Sequence, residues 1–269
     1  MTIAKEPLFA LLGILILIVI ALLVIFWPRT PKSILHSRSG LPAPCRDVEF
    51  EGIHHVVCTI SLEDYTVALH HDGSDGKPFG SIAKFDAAMK AAEKPVLIAM
   101  NAGMYHQDLS PVGLYIEDGK ELSPLNRESG KGNFFMKPNG VFLIGRNGEA
   151  SIMTTDAYAA AHTDPLYATQ SGPLLVIDGE VNPLFEENGK SRFIRNGIGV
   201  IDPHTVILAI SRSPVSFGSF ARLFKDKLGT RDALYFDGQV SVLSNGSQTI
   251  VGGSYPAGPI LSVLEKPKP

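Results

Sequence analysis

The chain has 269 residues, 45% of them hydrophobic and 19% charged, with a formal net charge of −3 and two cysteines. That near-neutral balance leaves no basic footprint, so no nucleic-acid partner is expected. Beyond the N-terminal hydrophobic segment roughly 230 residues remain, enough to bury one domain core, and no low-complexity linker divides them.

In chain order, Leu8–Trp27 is a run of twenty residues without a charge. As a helix it is about 30 Å long, the thickness of a bilayer's hydrocarbon core. Trp27 stands where an interfacial aromatic is expected, and no small-x-small cleavage site follows. The expectation is one uncleaved transmembrane anchor within residues 1–28, then an extended Pro-containing tether at 29–44 and a domain at 45–269. Lys5 precedes the span while Arg29, Lys32 and Arg38 follow it, a slight bias toward a cytoplasmic domain.

The cysteines argue the other way. Cys45 and Cys58 bracket two short extended runs, Arg46–Glu51 and Ile53–Val57, joined near Gly52. A hairpin there brings the sulfurs within bonding range, and a disulfide implies an oxidising compartment. The chain is therefore expected on the inner membrane, single-pass, with its domain periplasmic or extracellular.

Val48–Glu51, Ile53–Ile60 and Tyr65–His71 read as three strands. They carry His54-His55 and His70-His71, but neighbours on a strand point to opposite faces and no third ligand is evident, so no metal is expected. Ser81–Lys94 is the clearest helix: Ser81 caps it, and Ile82, Phe85, Met89 and Ala92 recur at helical spacing. Val96–Met100 is a buried strand ending at Asn101. A loop then carries Tyr105, Pro111 and Gly113 before Val112–Ile116 resumes an extended pattern. Gly132–Gly145 reads as two strand-like runs about Pro138-Asn139-Gly140. Thr154–His162 is an Ala-rich helix, and an apolar strand follows Gln170-Ser171-Gly172-Pro173. Residues 182–193 form an exposed loop. Phe193–Ile201 and Thr205–Ser211 pair as strands, with Arg195 inside the first and in need of a partner for its charge. Phe217–Leu228 is an amphipathic helix, and Ala233–Phe236 a buried strand ending in Asp237.

Ten Asn-Gly or Asp-Gly dipeptides occur, and most are expected to be hairpin turns, Asn139-Gly140 among them. Short strands and about three helices without strict alternation indicate an α+β fold with a mixed, mainly antiparallel sheet, preceded by the transmembrane helix. No His-Glu-x-x-His, Gly-x-Ser-x-Gly or Gly-x-Gly-x-x-Gly is present. Asn188-Gly-Lys-Ser191 lacks the upstream glycine of a phosphate loop.

Five segments in matching order, Asn101-Ala-Gly-Met-Tyr105, Gly132-Asn-Phe-Phe-Met-Lys-Pro-Asn-Gly140, Gln170-Ser-Gly-Pro173, Arg195-Asn-Gly-Ile-Gly199 and Phe236-Asp-Gly238, resemble the phosphodiester glycosidase family, nearest its bacterial envelope branch. The likeness runs over roughly residues 45–265. Members often carry Asp-Gly-Gly-x-Ser, whereas Asp237-Gly238-Gln239-Val240-Ser241 lacks the second glycine.

The resemblance implies hydrolysis of a sugar C1–O bond to a phosphodiester, without a cofactor. Phosphate leaves readily, so holding its charge matters more than protonating it, a task for Arg195 and Lys137. An oxocarbenium-like transition state needs a carboxylate nearby, which points to Asp237. Asn101, Tyr105, Asn139, Gln170, Ser171 and Asn196 are the residues expected to orient sugar hydroxyls or phosphate oxygens. A second carboxylate is left open among Asp108, Glu117, Glu128 and Glu186. Two other functions fit the same residues: a non-catalytic envelope protein binding anionic glycans, and a phosphoesterase holding a hard cation on Asn101 and Asp237.

Overall fold

The computed structural model describes residues 40–266. The span expected at Leu8–Trp27 lies outside the described residues, and among those described no helix is long and apolar enough to cross a membrane. The elements are β1 (Cys45–Phe50), β2 (Ile53–Ser61), β3 (Tyr65–His70), α1 (Ile82–Ala91), β4 (Ile98–Asn101), β5 (Tyr115–Glu117), β6 (Lys120–Ser123), β7 (Gly140–Gly145), β8 (Ala150–Thr154), α2 (Thr155–Ala161), β9 (Pro165–Ser171), β10 (Leu174–Ile177), β11 (Glu180–Val181), β12 (Asn196–Asp202), β13 (Thr205–Ser211), α3 (Phe217–Arg222), β14 (Asp232–Asp237), β15 (Leu243–Ser244), β16 (Thr249–Val251) and β17 (Ile260–Glu265).

The strands form three sheets, not one. A seven-stranded sheet runs β1-β2-β13-β12-β14-β10-β11, and two five-stranded sheets run β16-β15-β4-β17-β3 and β6-β5-β9-β7-β8. The pairs are antiparallel, for example β12 against both β13 and β14. Side-chain alternation assigns each face. Cys58 and Ile60 of β2, Leu208 and Ile210 of β13, and Leu234 and Phe236 of β14 join Met100 of β4 and Phe142 of β7 in one core shared by all three sheets. The alternate residues Val57, Ile207, Ala209, Ala233 and Tyr235 pack under Phe220 and Phe224 on the opposite face. With both faces covered, these strands read as unbroken apolar runs.

Three short helices shield the outer faces, each started by a side-chain oxygen. Ser81 accepts from Lys84 N at 3.2 Å, Thr154 from Ala157 N at 3.1 Å and Ser216 from Ser219 N at 3.2 Å, caps of about 1 kcal/mol each. The third helix is shorter than its sequence pattern suggests. After Arg222 it widens into a π-helical turn, Leu223–Lys227, that keeps Leu223 and Phe224 buried. Cys45 and Cys58 are bonded to each other and stand directly opposite in the β1–β2 register.

Several sequence expectations need correction. Gly132–Lys137 is not a strand; Asn133–Phe135 is a 3-10 turn leading into β7. Pro165–Ser171 is a strand in its own right, and the chain leaves it for another sheet at Pro173, whose missing N–H cannot continue a ladder. Of the ten Asn-Gly and Asp-Gly pairs, four close hairpins: Asp118-Gly119, Asn147-Gly148, Asp178-Gly179 and Asn245-Gly246. At Asp118 and Gly119 φ is 49° and 75°, the left-handed pair such a turn requires. Asn139-Gly140, Asn196-Gly197 and Asp237-Gly238 instead lie at strand ends. There glycine permits close approach: a Cβ on Gly197 would stand 2.7 Å from Leu234 O.

Candidate functional site

One end of each sheet supplies a polar residue to a common junction. β4 ends at Asn101, β9 at Ser171, β14 at Asp237, and β12 begins with Asn196. Asn196 Nδ2 donates to both Asn101 O and Asn101 Oδ1 at 2.9 Å, crossing from the seven-stranded sheet to a five-stranded one. Asn196 Oδ1 accepts from Asp237 N at 3.0 Å and from Ser241 Oγ at 3.1 Å. Asn101 Oδ1 also accepts from Val242 N at 3.0 Å. The third sheet joins through Ser171 Oγ, which donates to Phe236 O at 3.1 Å, and through Thr169 Oγ1, which donates to Ala102 O at 2.6 Å. Asn101, Asn196 and Ser171 have no solvent exposure. Each such bond contributes about 1 kcal/mol net, and leaving a buried partner unmatched costs about 1–3 kcal/mol. The network therefore holds Asp237 at a defined place relative to all three sheets. Asn101 Nδ2 is buried and has no hydrogen-bond partner among the described residues.

Asp237 is half-buried. Burial pushes its carboxyl up from the ordinary carboxylate range to about 6; the backbone amides of Gly238 and Val240 and the charge of Arg195 only partly oppose this. Oδ1 accepts from Gly238 N at 2.5 Å. Tyr105 feels the same charge: burial, then Asp237, raises its phenol to about 12. Its hydroxyl donates to Pro256 O at 2.5 Å, so it is already engaged.

Arg195 is fully buried. Nε donates to Val215 O at 2.9 Å, Nη1 to Tyr235 Oη at 3.1 Å and Nη2 to Ser191 O at 3.0 Å. The guanidinium lies 3.6 Å from the Phe217 ring centroid, with Tyr235 at 5.3 Å and Phe193 at 5.6 Å. Among the described residues no carboxylate pairs with it; carbonyls, hydroxyls and aromatic faces surround the charge instead. Direct contact with a bound phosphate does not fit this geometry. Burial lowers its pKa, while the fields of Tyr235 and Asp237 oppose that shift. Arg195 thus acts on Asp237 through charge and through the placement of Tyr235.

Among the described residues, the side chains of Gln170, Asn139 and Lys137 hydrogen-bond to neither Asp237 nor Arg195. Gln170 is saturated: Oε1 accepts from Leu114 N and Asn126 N at 3.0 and 2.9 Å, and Nε2 donates to Asn126 O and Thr155 Oγ1 at 2.7 and 3.0 Å. It clasps a loop and has nothing left for a ligand. Asn139 is also buried, donating to Phe134 O at 3.0 Å and accepting from Thr155 Oγ1 at 2.9 Å. Lys137 is exposed, and its Nζ lies 3.2 Å from Asn139 Oδ1. With Arg127, Thr154, Thr155 and Asp156, Lys137 and Asn139 line a pocket of about 450 Å³. The Asn133 side chain, four residues before Lys137, offsets part of the burial that raises the Tyr235 phenol, so the loop that carries Lys137 comes near Tyr235.

No group of three or more His, Cys, Asp or Glu that could hold a metal occurs among the described residues. Of the four carboxylates left open, Glu117 has the most distinctive surroundings. It accepts from His71 N at 3.0 Å, and burial raises it to about 7, but it belongs to a separate cluster with His71 and Tyr115. From the sequence, Ser241 stands only within the Asp-Gly-x-x-Ser comparison and Tyr235 only within a buried strand, neither with a role. Both are close in sequence to Asp237, yet only strand pairing shows that they touch Asn196 and Arg195.

A solved structure with the same fold is the catalytic domain of zebrafish N-acetylglucosamine-1-phosphodiester alpha-N-acetylglucosaminidase, auto-inhibited by its pro-peptide. It has a TM-score of 0.60 and 14% identity, covering 82% of each chain. A hypothetical protein from Synechocystis matches with a TM-score of 0.55 and 14% identity, over 82% of this chain and 61% of the other. In sequence, YigE of Escherichia coli strain K12 is 32% identical over 208 residues, 77% of this chain and 81% of that one. Residues 94–248, which include Asn101, Ser171, Arg195 and Asp237, match the phosphodiester glycosidase family. That segment is more than half of the chain, and the protein belongs to the phosphodiester glycosidase family.

Proposed function

We propose that the protein hydrolyses a glycosyl phosphodiester, releasing the sugar, at the three-sheet junction around Asp237. The observation that carries this reading is a lone carboxylate, raised to about 6 and oriented by backbone amides, in a member of this family. Water oxygen adds to the anomeric carbon as the C1–O bond breaks, and the bonding pair leaves with a phosphate monoester that needs no proton. Above pH 6 Asp237 is mostly ionised. It accepts the proton of the attacking water and stabilises positive charge at the anomeric carbon. Tyr235 and Arg195 hold the local field; Lys137 and Arg127 offer the exposed cations for the phosphate side of the substrate.

The test is incubation of full-length protein with UDP-N-acetylglucosamine, UDP-glucose and simple alkyl glycosyl phosphates, with release of free sugar measured by chromatography. Activity in wild type and its loss in Asp237→Asn is the expected result. Binding without turnover across the panel would favour a glycan-binding role.

The domain is further proposed to lie outside the cytoplasm, anchored through residues 8–27. The bonded pair Cys45–Cys58 supports this, since such bonds persist in oxidising compartments. Alkylation of both thiols in freshly lysed cells without reductant would argue against it.

A further inference from the structure

Among the described Phe, Tyr and Trp residues only two are exposed, Phe193 at 42% and Tyr255 at 48%. Both abut the two residues that follow Asp237. A Cβ on Gly238 would stand 3.2 Å from Phe193 Cβ, so the phenylalanine lies on that glycine. Gln239 Nε2 is 3.5 Å from Tyr255 Oη. They come from separate segments. Phe193 precedes β12, where Phe193 N and O each bond Val215; Tyr255 lies between β16 and β17, tied to the Asn101 loop by the Tyr105–Pro256 hydrogen bond. Tyr255 falls outside the segment matched to the family.

Leaving a phenylalanine and a tyrosine in water beside a polar corner forgoes burial worth about 1.5–3 kcal/mol for each large apolar side chain. A pyranose ring offers a matching surface: one face is lined by C–H groups, which gain dispersion and shed water against an aromatic face, while its hydroxyls stay free for polar partners. We propose that Phe193 and Tyr255 form the sugar platform of the site, stacking on the pyranose ring that presents its anomeric carbon to Asp237. This inference rests on the glycosyl phosphodiester reading and supplies its sugar-recognising part. The two side chains adjoin the residues that directly follow the carboxylate, and the cations of the Lys137 pocket remain for the phosphate side.

The test uses full-length protein in mild detergent with UDP-N-acetylglucosamine as probe. Saturation-transfer NMR with irradiation of the protein methyl envelope is expected to mark the sugar ring protons more strongly than the uridine protons. Phe193→Leu and Tyr255→Leu keep apolar bulk but remove the π face. Each should weaken the sugar signal and raise KM about tenfold with kcat little changed, and the double variant should lose more; Tyr255→Leu should keep the wild-type melting temperature, whereas Phe193→Leu also gives up the ring beside Arg195 and should melt somewhat lower. Tyr255→Phe should keep wild-type KM. Hydrolysis unaffected in the double variant overturns the platform and leaves the hydrolase reading intact. Ring saturation lost in the variants of a protein that does not hydrolyse the probe supports the platform and defeats the hydrolase reading. Absence of any sugar-ring saturation in wild type overturns the platform.

Discussion

Replacing Asp237 by Asn separates the chemical role of this carboxylate from the cost of burying it. In the folded protein Asp237 titrates near 6, against an ordinary value of 3.8, with burial as the main cause. The folded state therefore binds the proton more tightly than the unfolded chain. Stability is fully present below pH 3.8 and falls as pH rises toward 6 and beyond. The difference corresponds to about 3 kcal/mol at neutral pH. Asparagine keeps an acceptor for Gly238 N but adds an amide donor without a partner, a cost of about 1 kcal/mol. Asp237→Asn is thus expected to be more stable than wild type by about 2 kcal/mol at pH 8, a rise of about 4–8 °C in melting temperature for a domain of this size. Near pH 4 the advantage should vanish or reverse. Paired thermal melts at half-unit steps from pH 4 to 8 give the difference curve, in which titrations common to both proteins cancel. Sugar release should meanwhile fall by about 100-fold or more, the usual contribution of a positioned base. A stability difference between the two proteins that does not change with pH, or one that favours wild type more at pH 8 than at pH 4, would refute the assignment of a buried, strained charge to Asp237.

Glu117→Gln should remove a second decline in stability, between pH 4.5 and about 7, because Glu117 is likewise raised by burial; melts of Asp237→Asn should retain that decline. Arg195→Lys should destabilise the fold by about 3 kcal/mol, since lysine cannot serve Val215 O, Tyr235 Oη and Ser191 O together, as a lowered urea midpoint at constant slope will report. Lys137→Ala should raise KM for a phosphodiester about tenfold at low salt, with the effect shrinking at high salt and kcat holding steady. Reduction of Cys45–Cys58, which closes a separation of 13 residues, should cost about 3 kcal/mol, measured by denaturant titration with and without reductant.

Much of this protein was written locally. Ser81, Thr154 and Ser216 mark three helix starts because a cap is a contact between near neighbours. The Cys45–Cys58 hairpin is legible because a short chain with a Gly turn has few ways to close. Asn101, Ser171, Asn196 and Asp237 stand out as polar residues at the ends of apolar runs, and they do meet. What each one does there was not local. Asn196 and Gln170 looked like ligand-binding amides, but pairing across sheets consumes their donors and acceptors. Arg195 demanded a counter-charge on paper and found a tyrosine, carbonyls and a phenylalanine face, because residues 191, 215, 217 and 235 converge only when β12, β13 and β14 are laid side by side. The Asn-Gly and Asp-Gly pairs carry the same lesson: the dipeptide permits a turn, but neighbouring strands decide whether the chain turns or runs on. The order of the three sheets, the depth of Asp237 and the exposure of Phe193 and Tyr255 are properties of surfaces brought together from distant segments, where a residue's neighbours in space are not those in sequence.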